Sequence, residues 1–114
     1  MSAITTHVLD TSRGVPASGV RAGLARQTMS GNWDEFASGE TDADGRLNNL
    51  LPKNAMLEPG AYRLRFETAA YFQKLGIKTF YVEVSVNFRV DDPLTHYHVP
   101  LLLSPYGYTT YRGS

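Results

Sequence analysis

A chain of 114 residues in which 11 Lys or Arg balance 11 Asp or Glu has room for one core and carries no net charge; at this size folding hides roughly 65% of the unfolded surface from water. That balance excludes the broad positive potential used by nucleic-acid binders, and most of the seven Tyr fall within strand patterns rather than among clustered Arg and Lys. The absence of cysteine excludes disulfides, thiol nucleophiles and Cys-based zinc sites, which leaves stability to packing.

Residues 1–10, MSAITTHVLD, lack both a basic start and a long apolar run. Neither a secretory leader nor a membrane span is expected, and the placement is cytoplasmic, with a processed periplasmic or peroxisomal form left open. Residues 4–9 read as a first strand, with Thr5, His7 and Leu9 on one face and Ile4, Thr6 and Val8 on the other. SRGVPASG, residues 12–19, is a turn-rich connection. Residues 20–27 form a second strand, with Val20, Ala22 and Leu24 on one face, and after the reversal MSGNWD residues 33–40 form a third. In TDADGRLNNL the Asp44-Gly45 pair marks a tight turn, since glycine accepts positive φ without a Cβ clash, and Arg46 opens a short strand.

Residues 52–59 are a proline-bounded loop. From Gly60 onward Tyr62, Leu64 and Phe66 alternate with Arg63, Arg65 and Glu67 as a half-buried strand. Thr68 reads as the cap of one short helix over 69–75, which Gly76 ends by taking a left-handed backbone. Residues 79–88 alternate Phe80, Val82, Val84, Val86 and Phe88 against Tyr81, Glu83 and Ser85. VDDPLT then leads to a terminal hairpin, whose first strand sets Tyr97, Val99, Leu101 and Leu103 on a core face and His96, His98, Pro100 and Leu102 on the other. Short alternating runs divided by Gly, Pro, Asn and Asp predict an all-β sandwich or barrel with one short helix, a single domain over 1–114.

Two imidazoles two residues apart on a strand are poor strand formers and poor solubilisers, so His96 and His98 suggest a site. His7 alone reads as an ordinary hydrated strand residue; joined to His98 in one sheet, it points to a polar pocket drawn from distant parts of the chain. Imidazole suits zinc, copper and iron. The three histidines nevertheless lack an HExxH spacing or an acidic partner at a recognised interval, and the DADG run at 42–45 is too short for an EF-hand loop, so no metal is expected. No GxSxG nucleophile elbow occurs. What remains is histidine acting on water or on a substrate proton beside a guanidinium that holds developing negative charge, with Arg46, Arg112 and Tyr111 as available helpers.

Strand, SRGVPA, strand, DGRL, the AYF helix ending at Gly76, HYHVPLLLSP and a terminal YRGS follow one another in an order that resembles the transthyretin-related 5-hydroxyisourate hydrolases over nearly the whole chain. ITTHVLD and YRLRFET match as well, and YRGS is the strongest single mark. The resemblance implies a transthyretin-like two-sheet β-sandwich assembling as a homotetramer, with a central channel between dimers and two sites at its mouths. It implies hydrolysis of 5-hydroxyisourate, the unstable product of urate oxidation, to 2-oxo-4-hydroxy-4-carboxy-5-ureidoimidazoline in purine degradation, with no cofactor. Residue by residue, the family's first-strand histidine falls on His7, the arginine after the Asp-Gly turn on Arg46, the second histidine of HYH on His98 and the tyrosine of YRGS on Tyr111. On that reading His98 is the principal proton-transfer group, His7 its partner at water or at the leaving nitrogen, Arg46 the oxyanion clamp and Tyr111 the group that positions the ring. Ser114 and its carboxylate reach the pocket mouth, while His96 stands at the strand entrance, where a hydrated role competes. A carrier is the main alternative, because vertebrate transthyretin shares the fold and uses the corresponding channel for hormone; an adhesive β-sandwich module is another.

Overall fold

Alternation of apolar and polar side chains decides the layers. The computed structural model describes residues 2–114, so the expected domain limit at position 1 lies outside the described residues. In chain order the elements are β1 (Ile4–Asp10), β2 (Val15–Pro16), β3 (Arg21–Gln27), β4 (Trp33–Glu40), β5 (Arg46–Leu47), β6 (Gly60–Phe66), α1 (Thr68–Lys74), β7 (Val84–Val90), β8 (Tyr97–His98), β9 (Leu101–Ser104) and β10 (Gly107–Thr110). They form two sheets, a four-stranded β4-β3-β6-β7 and a six-stranded one built on β10-β9-β1-β2, with β5 and β8 also paired to β1. Among the described residues no helix is long and apolar enough to cross a membrane.

The two sheets bury their inward residues against each other. Ile4, Val8, Leu101 and Leu103 from one meet Leu24, Tyr62, Leu64, Phe66 and Val84 from the other, and Phe72 of α1 closes one end. Each such side chain contributes about 1.5–3 kcal/mol by leaving water. The outward face of the four-stranded sheet is charged: Arg65 reaches Glu35 at 3.1 Å and Glu67 at 3.5 Å, and the Arg63 guanidinium lies 4.1 Å from the centre of the Trp33 ring.

Several expectations need correction. The strand expected over 79–88 begins only at Val84, because Val84 pairs with Phe66 and the partner chain then turns into the helix. Phe80 and Val82, without a ladder to join, are 70% and 79% exposed. Thr68 does not cap α1: Glu67 occupies that position without a side-chain bond, and the Thr68 hydroxyl points inward and finds no partner. The far end is as expected, since Gly76 has φ 70°, and Gly76 N donates to Gln73 O and Ile77 N to Phe72 O. The single terminal strand is split into β8 and β9 at Pro100, which has no N–H to give a ladder. The Thr6 hydroxyl donates to Val99 O at 2.6 Å within that gap. Finally, Val15 and Pro16 inside the turn-rich connection pair with Asp10 and Leu9 as the short β2.

Candidate functional site

Strand β1 has short strands on both edges, and its register decides which distant side chains become neighbours. On one edge Thr5 lies opposite His98 in a parallel pair, and on the other His7 lies opposite Arg46 in an antiparallel pair. Thr5 and His7 share a face of β1, and cross-strand partners share the face of the residue they oppose. His98, His7 and Arg46 therefore stand side by side on the outward face of three adjacent strands. The inward face carries Thr6 and its partner Leu47, both buried.

Arg46 is held by the turn before it. The Asp42 carboxylate accepts Asp44 N at 2.9 Å and Arg46 N at 3.0 Å, and Val8 N donates to Gly45 O at 2.8 Å. Gly45 needs its lack of a side chain twice, for φ 76° and because a Cβ would collide with Val8 O of β1. The same turn fixes His7: its Nε2 lies 2.8 Å from Asp44 O, and since a carbonyl only accepts, Nε2 carries the proton and donates. Nδ1 is then the nitrogen left for chemistry.

His98 sits in a denser setting. Its Nδ1 is 2.8 Å from the Thr5 hydroxyl, whose oxygen is also 2.9 Å from His96 Nε2, and the two rings lie 6.2 Å apart at 25°. Gly113 N donates to His98 O at 2.8 Å, bringing the chain end against the ring. Burial pushes the His98 pKa below the ordinary imidazole value, the charges of His96, Arg46 and His7 push it the same way, and a hydrogen bond to the Thr5 backbone partly offsets them. His98 is thus a neutral imidazole at pH 7, able to accept a proton.

The remaining expected residues flank this face. Tyr111 lines, with His98, Tyr97, Phe88 and Arg112, a 240 Å³ cavity between β8, β7 and the chain end. Arg112 stacks over the Tyr97 ring, 4.8 Å from its centre. Ser114 is exposed, one residue beyond the Gly113 bridge to His98. Arg46 borders a separate depression with Glu40, Asp42 and Asn48, so the cavity at His98 does not extend to it. Sequence reasoning missed Thr5 and Gly113. Thr5 had a signal in sharing a face with His7, but threonine is so ordinary in a strand that nothing marked it. Among the described residues no group of three His, Cys, Asp or Glu could hold a metal ion.

A family model described as "HIUase/Transthyretin family" matches residues 4–113. The 5-hydroxyisourate hydrolase of Salmonella typhimurium is 45% identical over 111 residues, covering 97% of this chain and 80% of that protein. The solved 5-hydroxyisourate hydrolase of Klebsiella pneumoniae superposes with a TM-score of 0.85 at 36% identity, covering 97% of this chain and 98% of the other. Sea bream transthyretin in complex with thyroxine superposes with a TM-score of 0.90 at 34% identity, covering 97% and 94%.

Proposed function

The chain belongs to the HIUase/Transthyretin family, and from that premise we propose that it hydrolyses 5-hydroxyisourate, opening a cyclic amide by water attack. Backbone similarity does not separate hydrolase from carrier, because a transthyretin and a hydrolase both superpose well. The chemistry of the outward face does. The observation that carries the reading is the register that brings Arg46 of β5 and His98 of β8, from opposite edges of β1, onto the same outward face as His7. A channel for an apolar ring has no use for two imidazoles and a guanidinium.

In the proposed reaction a water molecule gives a proton to the free nitrogen of His98, and its oxygen bonds to the ring carbonyl carbon. Arg46 holds the charge that gathers on the carbonyl oxygen. His7, whose bare Nδ1 accepts a hydrogen bond, orients the attacking water; the C–N bond then breaks as His98 passes the proton it took to the leaving nitrogen, and the product carboxyl ionises. Tyr111 and Ser114, from the chain end, position the substrate ring. Lowered basicity suits His98 to the accepting role, since it stays neutral at working pH.

The same reading takes residues 1–114 as one hydrolase domain that works as a homotetramer. The open edges β7 and β10 and the exposed aromatic rings of Phe80, Tyr81 and Tyr108 support assembly. So does the shallowness of the outward face, which needs another copy to become a channel. The test is the decay of freshly generated 5-hydroxyisourate, followed by ultraviolet absorbance with and without protein. Acceleration is expected; thyroxine binding with no acceleration would favour the carrier, and a monomer mass by light scattering would remove the channel.

A further inference from the structure

We propose that Thr5 is a positioning residue whose hydroxyl joins His96 and His98 into one proton relay between the reacting face and solvent. The inference rests on the reading that His98 moves protons in hydrolysis. Its ground is geometric: Thr5 is 1% exposed, and its single oxygen lies 2.9 Å from His96 Nε2 and 2.8 Å from His98 Nδ1. Among the described residues no other side chain bonds to this hydroxyl, and each ring offers it one nitrogen.

A hydroxyl has one proton to donate and lone pairs to accept. With both rings neutral, one ring must donate to Thr5 and the other must accept from it. When His98 Nδ1–H donates to Thr5 and Thr5 donates to His96 Nε2, His98 Nε2 is bare and ready to take a proton. Once Nε2 accepts a proton from water, the Nδ1 proton passes to the Thr5 oxygen and the Thr5 proton passes to His96 Nε2. His96, which is exposed, releases its Nδ1 proton to solvent. One proton has entered and one has left, so the His98 ring stays neutral while Nε2 holds the proton; when Nε2 gives that proton to the leaving nitrogen, the reverse shift draws one proton back from solvent at His96 and resets the relay.

The charged and titratable groups around His98 agree with a relay that avoids two cations at once. His96 stands beside it on its own segment, His7 on β1 and Arg46 on β5. Arg89 of β7, and Tyr111 and Arg112 just before the Gly113 bridge, share its cavity. Among the charged neighbours, His96 acts most strongly on the His98 proton affinity.

The experiment is nitrogen-15 NMR of the imidazoles beside steady-state kinetics for wild type, Thr5→Val, Thr5→Ser and His96→Asn. In the wild type His98 is expected as a single tautomer whose titration is coupled to that of His96. Thr5→Val, of nearly the same shape, should mix the His98 tautomers, uncouple the two titrations and lower kcat about tenfold with KM within twofold, a smaller loss than the ~100-fold of removing an acid–base group. Thr5→Ser should restore both readouts. His96→Asn keeps a hydrogen-bond partner for Thr5 but no transferable proton; kcat should fall, and added imidazole should recover part of it. Unchanged His98 nitrogen shifts and kcat in Thr5→Val would overturn the relay, as would a kcat loss without any change in tautomer. The NMR readout does not depend on turnover, so a wild type that leaves 5-hydroxyisourate untouched would defeat the hydrolase reading and still leave the coupling decided.

Discussion

Gly113 offers the sharpest single substitution, because its effect is purely steric. Its φ is not among the positive values that mark Gly14, Gly19, Gly31, Gly45, Gly60 and Gly76, so alanine fits the backbone there. The new methyl does not fit the surroundings: it would lie 2.5 Å from His98 Cδ2, 3.3 Å from His98 Cγ and 3.2 Å from Pro100 Cγ. Carbon atoms in contact settle near 3.5 Å or more, so the ring must retreat by about 1 Å, with Pro100 blocking escape on the other side. A shift of that size is enough to break the 2.8 Å contact of His98 Nδ1 with Thr5. If the chain end peels away instead, the Gly113 N to His98 O bond is lost, at a cost of about 1 kcal/mol. In the first case the imidazole leaves its place, in the second it loses the segment that packs against it, and a misplacement of about 1 Å near the chemistry costs on the order of 100-fold. We expect Gly113→Ala to lose about that much kcat/KM for 5-hydroxyisourate while its Tm falls by only a few degrees. A folded Gly113→Ala protein with kcat/KM within twofold of wild type would refute the argument.

Two further outcomes follow from the electrostatics. The His98 pKa is lowered on folding from 6.5, first by burial and then by its cationic neighbours, so between the folded value and 6.5 the unfolded chain binds more protons. Stability should therefore fall as pH drops below 6.5 and level off below the folded value, and the acid limb of kcat/KM should lie below 6.5. NMR titration of Arg46→Ala should move the His98 midpoint upward; a midpoint at or above 6.5 in the wild type would contradict this. The second concerns Asp10, fully buried at the other end of β1, whose carboxylate accepts from Tyr71 OH at 2.9 Å and Ser12 Oγ at 2.6 Å. Burial and this carboxylate push the Tyr71 pKa up to about 12. Tyr71→Phe should cost about 1–3 kcal/mol in denaturant unfolding by leaving a buried acceptor short of a donor. Its kcat/KM should stay within twofold of wild type while folded, and a larger loss would deny that this cluster is separate from the site.

The sequence carried the layers further than it carried the pairing. Parity alone identified Tyr62, Leu64 and Phe66 as inward, and Tyr97, Val99, Leu101 and Leu103 likewise, because burial follows the two-residue period of a strand. The stretch 79–83 has the same alternation yet forms no strand, since a ladder needs a partner and β6 ends at Phe66, a fact that lies outside the local pattern. The Thr68 signal failed for a related reason: its hydroxyl turned toward the core rather than back to the helix start. At the candidate site, parity placed His7 and His98 away from their apolar neighbours. The meeting of His7 with Arg46 and of Thr5 with His98 depends on register between segments more than 35 residues apart, which no local spacing encodes. Gly113 was legible only as part of a motif; its close approach to His98 appears once the chain end is in place.

The proposed chemistry is an imidazole beside a guanidinium on the outward face of β1 driving the opening of 5-hydroxyisourate. Its most direct test is kcat/KM for freshly generated 5-hydroxyisourate with wild type and His98→Asn, with the mass of both checked by light scattering. An active wild type is expected, and a variant of the same mass that is slower by about 100-fold or more. A His98→Asn protein that folds, assembles and turns over at the wild-type rate would contradict it.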